Sequence, residues 1–262
     1  MELTLAGESV YVGTAGKEID STAETVLFVH GVGQDHTVWV LPTRYFASHH
    51  RNVLAVDLPG HGRSGGAPLR SVAEMADWVV TVLDTVGVQS AALVGHSMGS
   101  LVSLDAAARY AQRVRALAMV CVSFPLAVTA PLLESARAGS HDAIDMLTYW
   151  GLSNPARLGG SPTPGTWMAG ASARLLETAR AGVIETDLRA CDSYTAGADR
   201  AQHLQCPARL ILGEKDRMTP VRGATAIREA IPDQETVILS GAGHALLLER
   251  SDQVLDELIR VV

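Results

Sequence analysis

Four short apolar runs in the first half of the chain, TVLFVH from Thr25, NVLAVDL from Asn52, SAALVGH from Ser90 and VRALAMVCV from Val114, are separated by stretches of helical length. Runs this short and this continuously apolar suit strands buried on both faces, and parallel neighbours must be joined by a crossover, usually a helix. The pattern predicts a parallel sheet covered on both sides. One crossover, Ser71 to Val86, puts Val72, Met75, Ala76, Val79, Val80 and Leu83 on one stripe. Ser71 is its expected N-cap with Glu74 three residues on, and Gly87 its stop. The opening LTLAGESVYVG alternates, and predicts an antiparallel hairpin turning at Gly7-Glu8.

The rhythm breaks after CVSFP. From Pro125 to about His203 the chain has helical pieces at Ser140 to Leu152, Ala171 to Ala181 and Ile184 to Tyr194, with the loop GGSPTPG between the first and second. It resumes with ARLILGEKD, a helix from about Val221 to Ala230, the strand ETVILSG and a final amphipathic helix from Asp252 to Val262. The expected organisation is an α/β core, residues 1–124 and 204–262, with a helical insertion, residues 125–203, after the sixth strand.

Length and charge narrow the partners. A chain of 262 residues that is 47% hydrophobic suits one large α/β domain with an insertion. A net charge of -7 argues against nucleic acid or an anionic membrane, which need a clustered cationic footprint, and favours a small molecule. The start, MELTLAGESVYVG, has no basic stretch leading into an apolar one, and no apolar run approaches the ~20 residues that span a bilayer. A soluble, cytoplasmic protein is expected. Cys121, Cys191 and Cys206 lack metal-site spacing and are expected to be plain thiols, and no histidine pattern suggests a metal. GESVYVG and GVGQDH both fail the dinucleotide fingerprint G-x-G-x-x-G, so no cofactor is expected.

Chemistry gathers around ALVGHSMGS. Gly95-His96-Ser97-Met98-Gly99 is a G-x-S-x-G at the end of an expected strand and the start of an expected helix. A serine hydroxyl is a poor nucleophile near neutral pH, so it needs a base within reach and an acid to orient that base. GAGHALLLE puts His244 just after the last strand, and LILGEKDRMTP puts Asp216 on the loop after the preceding one. All three follow the C-terminal ends of strands, where open parallel sheets bind ligands. Glu214 is the rival acid and is expected to face outward. The turn His30-Gly31-Val32-Gly33 offers backbone N–H groups, and those of Val32 and Met98 are assigned as the oxyanion hole. His30 is expected to brace the turn rather than act as base.

With HGVGQDHTVW, DLPGHGRS, GHSMG, GEKDRMTP and GAGH in this order, the chain resembles the α/β-hydrolase fold superfamily over essentially its full length. Within it, the chain is similar to the capped serine-hydrolase branch of carboxylesterases, haloperoxidase-like perhydrolases, carbon-carbon bond hydrolases and enol-lactonases. The resemblance implies an eight-stranded, mostly parallel sheet flanked by helices, with residues 125–203 as a lid, and DLPGHGRS as a structural turn. Dehalogenase-like and epoxide-hydrolase-like members carry aspartate where this chain has Ser97, and the strand before SFPLA is followed by no carboxylate, which leaves Asp216 as the acid.

The implied reaction is cleavage of an ester or lactone of a small, largely apolar substrate through an acyl-enzyme. Leu126, Met146, Trp150 and Trp167 are the expected substrate contacts in the insertion. A carbon-carbon hydrolase or enol-lactonase is the enzymatic alternative and would need cations for a substrate carboxylate, with Arg137, Arg157, Arg174, Arg180 and Arg189 as candidates. A ligand receptor on the same fold is the non-enzymatic one.

Overall fold

A computed structural model describes residues 1–262 except Pro162, Pro164 and Pro232, so two residues of the expected GGSPTPG loop lie outside the described residues. Strands β1 (Glu2–Leu5) and β2 (Glu8–Gly13) form the opening hairpin. Its turn is Ala6-Gly7 rather than Gly7-Glu8: Leu5 pairs with Glu8, and both turn residues have positive φ, +50° and +86°. Two left-handed residues make the turn whose twist matches an antiparallel pair.

The remaining strands are β3 (Thr25–Val29), β4 (Asn52–Val56), β5 (Ala91–His96), β6 (Val114–Val120), β7 (Ala208–Gly213) and β8 (Glu235–Leu239). They complete an eight-stranded sheet in the order β1-β2-β4-β3-β5-β6-β7-β8. The β1–β2 and β2–β4 pairings are antiparallel and the other five parallel among the described residues.

Helices α1 (Val40–Ser48), α2 (Val72–Thr85) and α3 (Met98–Arg109) lie between the early strands. Six more, α4 (Ala130–Arg137), α5 (His141–Gly151), α6 (Asn154–Arg157), α7 (Met168–Glu177), α8 (Val183–Asp192) and α9 (Gly197–Gln202), separate β6 from β7. The last are α10 (Thr225–Ala230), α11 (Leu246–Glu249) and α12 (Ser251–Ile259). Helices α4, α6 and α9 were not legible in the sequence; none is longer than eight residues, too short to show a clear period.

Alternation along the strands builds two cores. On β3, Leu27 and Val29 face a cluster completed by α2, α3 and α10, while Val26 and Phe28 face one completed by Phe46 of α1 and by Val254 and Leu258 of α12. Helix α2 starts as expected: the Ser71 hydroxyl accepts from Glu74 N–H at 3.2 Å. Glu74 reaches back one residue further than a capping box requires, to Arg70 N–H at 2.9 Å. The insertion has its own small core, Leu132, Ala136, Ala143, Leu147, Leu176 and Leu188.

This strand order fixes where a site can form. β3 has β4 on one side and β5 on the other; the crossover after β3 runs to β4 and the crossover after β5 runs the opposite way to β6, which opens a crevice between them at the strands' C-terminal ends. Val29 pairs with Gly95, which sets the loop after β3 beside the turn after β5.

Candidate active site

Ser97 is the single residue between β5 and α3, at φ +56° and ψ −116°. Such a backbone is strained by ~1–3 kcal/mol for a residue with a side chain and persists only where its surroundings hold it. Here Ser97 N–H donates to Val120 O at 2.9 Å, and the Ser100 hydroxyl donates to Gly95 O and Val120 O at 2.9 and 3.0 Å. A Cβ on Gly95 would overlap the Gly99 carbonyl, and one on Gly99 the Val29 carbonyl. Only glycine lets β5, α3 and β3 approach this closely.

Two loops at the same end of the sheet bring in an imidazole and its acid. Asp216 follows β7, and its Oδ2 lies 2.8 Å from His244 Nδ1 on the loop after β8. Asp216 also accepts from the Met218 and Thr219 N–H groups, both at 2.8 Å, and from the Thr219 hydroxyl at 2.6 Å. Burial opposes ionisation of Asp216, but the charge and hydrogen bond of His244 and the donors of Thr219 outweigh it and hold the carboxyl well below the usual range. Glu214 instead accepts from Gly241 N–H at 2.8 Å, exposed on the outside of the loop.

The turn after β3 closes the arrangement. A Cβ on Gly31 would lie 3.3 Å from Ser97 Cβ, so the turn abuts the serine directly. His30 is fully buried; its Nδ1–H donates to Gly31 O at 2.9 Å and its Nε2 accepts from Leu58 N–H at 3.2 Å. Burial and the neighbouring His61 push its pKa down to about 3, so it is a neutral brace with no free nitrogen. Among the described residues, the N–H groups of Val32 and of Met98, first residue of α3, have no hydrogen-bond partner.

Ser97, His244 and Val32 share one cavity of about 270 Å3. The insertion contributes Leu147 and Thr148 of α5 and Leu175 and Leu176 of α7 to the cavity's lining, which also includes the exposed Val40, Leu41 and Leu248. Of the expected substrate contacts, none is there. Leu126 packs on the core under the sheet, Met146 and Trp150 pack inside the insertion, and Trp167 is 71% exposed. Met146 and Trp150 help build the insertion itself. Leu147, next to Met146, faces the cavity, a one-residue difference that helical rotation decides.

None of the insertion's arginines lines the cavity either. Arg157 stacks on Tyr149, Arg174 pairs with Glu177, Arg189 with Glu185, and Arg180 reaches Gly62 O. Sequence reasoning missed Thr219, whose signal was its position three residues after Asp216 in a local D-x-x-T turn, and Gln34, whose Oε1 accepts from Gly31 N–H at 3.1 Å.

Two groups of metal-ligating side chains occur among the described residues, His96 with Cys121 and His244, and Asp35 with His36 and Asp57. Their donors are engaged. His96 Nε2–H and the Cys121 thiol both donate to His244 O, at 3.1 and 3.2 Å; burial lowers the His96 pKa to about 3 and raises the thiol's. Asp57 accepts from the N–H groups of His36 and Arg63. No described helix is long and apolar enough to cross a membrane.

Comparison with known proteins agrees with this architecture. The chain is 29% identical over 243 residues to the dihydrolipoyllysine-residue acetyltransferase component of the acetoin cleaving system of Pseudomonas putida, covering 89% of this chain and 62% of that one. It thus spans less than two thirds of that relative. It is 27% identical to the pimeloyl-[acyl-carrier protein] methyl ester esterase of Chromobacterium violaceum, over 92% of both chains. The enol-lactonase of Burkholderia xenovorans LB400 shares the fold, with a TM-score of 0.87 at 20% identity over 99% of this chain and 98% of that one. Residues 26–257 match the alpha/beta hydrolase family, and with the sheet order and the turn at Ser97 in hand, the chain belongs to that family.

Proposed function

We propose that this protein is a serine hydrolase that transfers the acyl group of an uncharged, largely apolar ester or lactone to water, with Ser97 as nucleophile, His244 as base and Asp216 as its orienting acid. The Asp216 contact occupies His244 Nδ1–H and leaves Nε2 as the basic nitrogen. In the first half-reaction, Nε2 takes the Ser97 proton as Oγ attacks the carbonyl. The oxyanion accepts from Val32 and Met98 N–H, and collapse expels the alcohol with that proton. Water then attacks the acyl-enzyme by the same route, releasing the acid and restoring Ser97. The helices between β6 and β7 serve as the cap.

One observation carries the choice of substrate: among the described residues, no Asp, Glu, Lys or Arg lines the cavity. A dienol-ketone or enol-lactone substrate with a carboxylate would bury its charge unpaired there, at a cost of several kcal/mol. Polar anchors are limited to groups such as Gln34, Ser172 and the Thr148 hydroxyl, which is buried without a partner among the described residues.

The test is a panel of short neutral p-nitrophenyl esters, neutral lactones and their carboxylated counterparts, run on wild type and Ser97→Ala. Multiple turnover of neutral substrates by wild type alone, with a phosphonate adduct on Ser97 by mass spectrometry, is expected. Turnover by Ser97→Ala overturns the assignment, preference for carboxylated substrates overturns the substrate class, and a single turnover marks a receptor.

A further inference from the structure

The insertion reaches the oxyanion loop through one carboxylate. Asp187, on α8, is fully buried, and its Oδ2 accepts from Gly33 N–H at 2.9 Å and from His61 Nε2–H at 2.8 Å. Asp187 Oδ1 has no partner among the described residues. The other His61 nitrogen, Nδ1, lies 3.0 Å from Pro59 O. Both ring nitrogens therefore face acceptors, and the ring carries two protons as the cationic partner of Asp187.

Several kcal/mol of desolvation oppose such a buried pair, so its location matters. Gly33 N–H is one peptide beyond Val32, and Gly31 N–H, one peptide before it, is held by Gln34 Oε1. Val32 N–H thus lies between two pinned amides. Helix packing adds to the restraint: a Cβ on Gly33, at φ +64°, would come within 2.8 Å of Ile184 on α8.

We infer that Asp187 is a positioning residue of the oxyanion hole, supplied by the insertion to hold the Val32 N–H in line with the carbonyl attacked by Ser97. This rests on the proposed roles of Ser97 and Val32. The insertion is then more than a cover for the cavity: it completes the geometry that stabilises the transition state. Substrate held in the ground state does not load the hole, so the effect belongs to kcat rather than KM.

The decisive variant is the double substitution His61→Leu with Asp187→Leu. It replaces a buried pair by apolar groups, leucine having the branching of aspartate and about the bulk of histidine, a kind of change that proteins often tolerate, while removing the acceptor for Gly33 N–H. With wild type, Ser97→Ala, Asp187→Asn and the double variant, kcat and KM for a neutral ester are measured. Ki values are measured for a trifluoromethyl ketone, whose hemiketal places an oxyanion in the hole, and for a matching ether, which does not. The double variant is expected to lose kcat and ketone affinity by about 10- to 100-fold, with KM and ether Ki close to wild type. Asp187→Asn keeps a carbonyl acceptor and is expected to retain most of kcat. A folded double variant with wild-type kcat and ketone affinity overturns the inference, as does an Asp187→Asn variant in which only KM changes. Turnover in Ser97→Ala instead overturns the hydrolase reading, so the two failures are told apart.

Discussion

The Asp216 carboxylate lies 2.8 Å from His244 Nδ1, each residue on a separate loop after adjacent parallel strands. Parallel pairing is what makes this possible, because β7 and β8 must deliver their following loops to the same edge. The contact occupies Nδ1 and fixes the ring's orientation, and in the proposed mechanism it leaves Nε2 to take the Ser97 proton.

Asp216→Asn is accordingly expected to lower kcat by about 10^4-fold with the fold intact. Stability carries the same signature. Since its folded pKa is depressed, Asp216 contributes stability that is present above its unfolded value near 3.8 and is lost as pH falls through the folded pKa. Urea unfolding of wild type and variant at pH 7 and pH 3 should show their difference shrinking at the lower pH.

Ser97 stores backbone strain at φ +56°. Ser97→Gly should relieve it, and Ser97→Ala should not, because only glycine accepts that conformation freely. Both variants are expected to be inactive, and the glycine variant is expected to be more stable than the alanine one by about 1 kcal/mol in denaturant unfolding.

Thr148 lines the cavity, and its hydroxyl is buried with no partner among the described residues. Thr148→Val keeps the shape and removes the unmet polar group, so the free protein should gain about 1 kcal/mol. For substrates with an acceptor near the scissile bond, KM should rise. Calorimetry on the free protein and kinetics on paired substrates check the two halves.

The His61–Asp187 pair implies a limit toward alkaline pH. Burial alone would depress the His61 pKa, but the Asp187 charge and hydrogen bond, Pro59 O and Asp57 together raise it, and the neutral His30 ring lies tilted against it at 4.8 Å. A raised pKa means stability fully present below about 6.5 and lost as pH rises through the folded value. The stability difference between wild type and His61→Gln should therefore be larger at pH 6 than at pH 9.

How far the sequence reaches depends on range. Ser97 and its two glycines were legible because the turn is local: strand, tight bend and helix are all written within a dozen residues. Asp216 and His244 were legible as candidates because each follows a readable strand. The cavity lining was not, since one residue's rotation along α5 decides that Leu147, a member of the insertion's core, also lines the cavity while Met146 only packs against that core. The hairpin turn moved by one residue because pairing register, not composition, chose Ala6-Gly7.

By itself, then, the sequence determined the alternation of buried strands and crossovers, the strained serine turn and the order of the reactive groups, all consequences of local periodicity and steric demand. Only the tertiary structure decided that Asp187 meets His61 across 126 residues of chain, that the arginines of the insertion turn away from the cavity, and that Thr219 steadies the acid. Those contacts depend on how the insertion docks on the sheet, and docking is a property of whole packed surfaces that no short stretch of residues encodes.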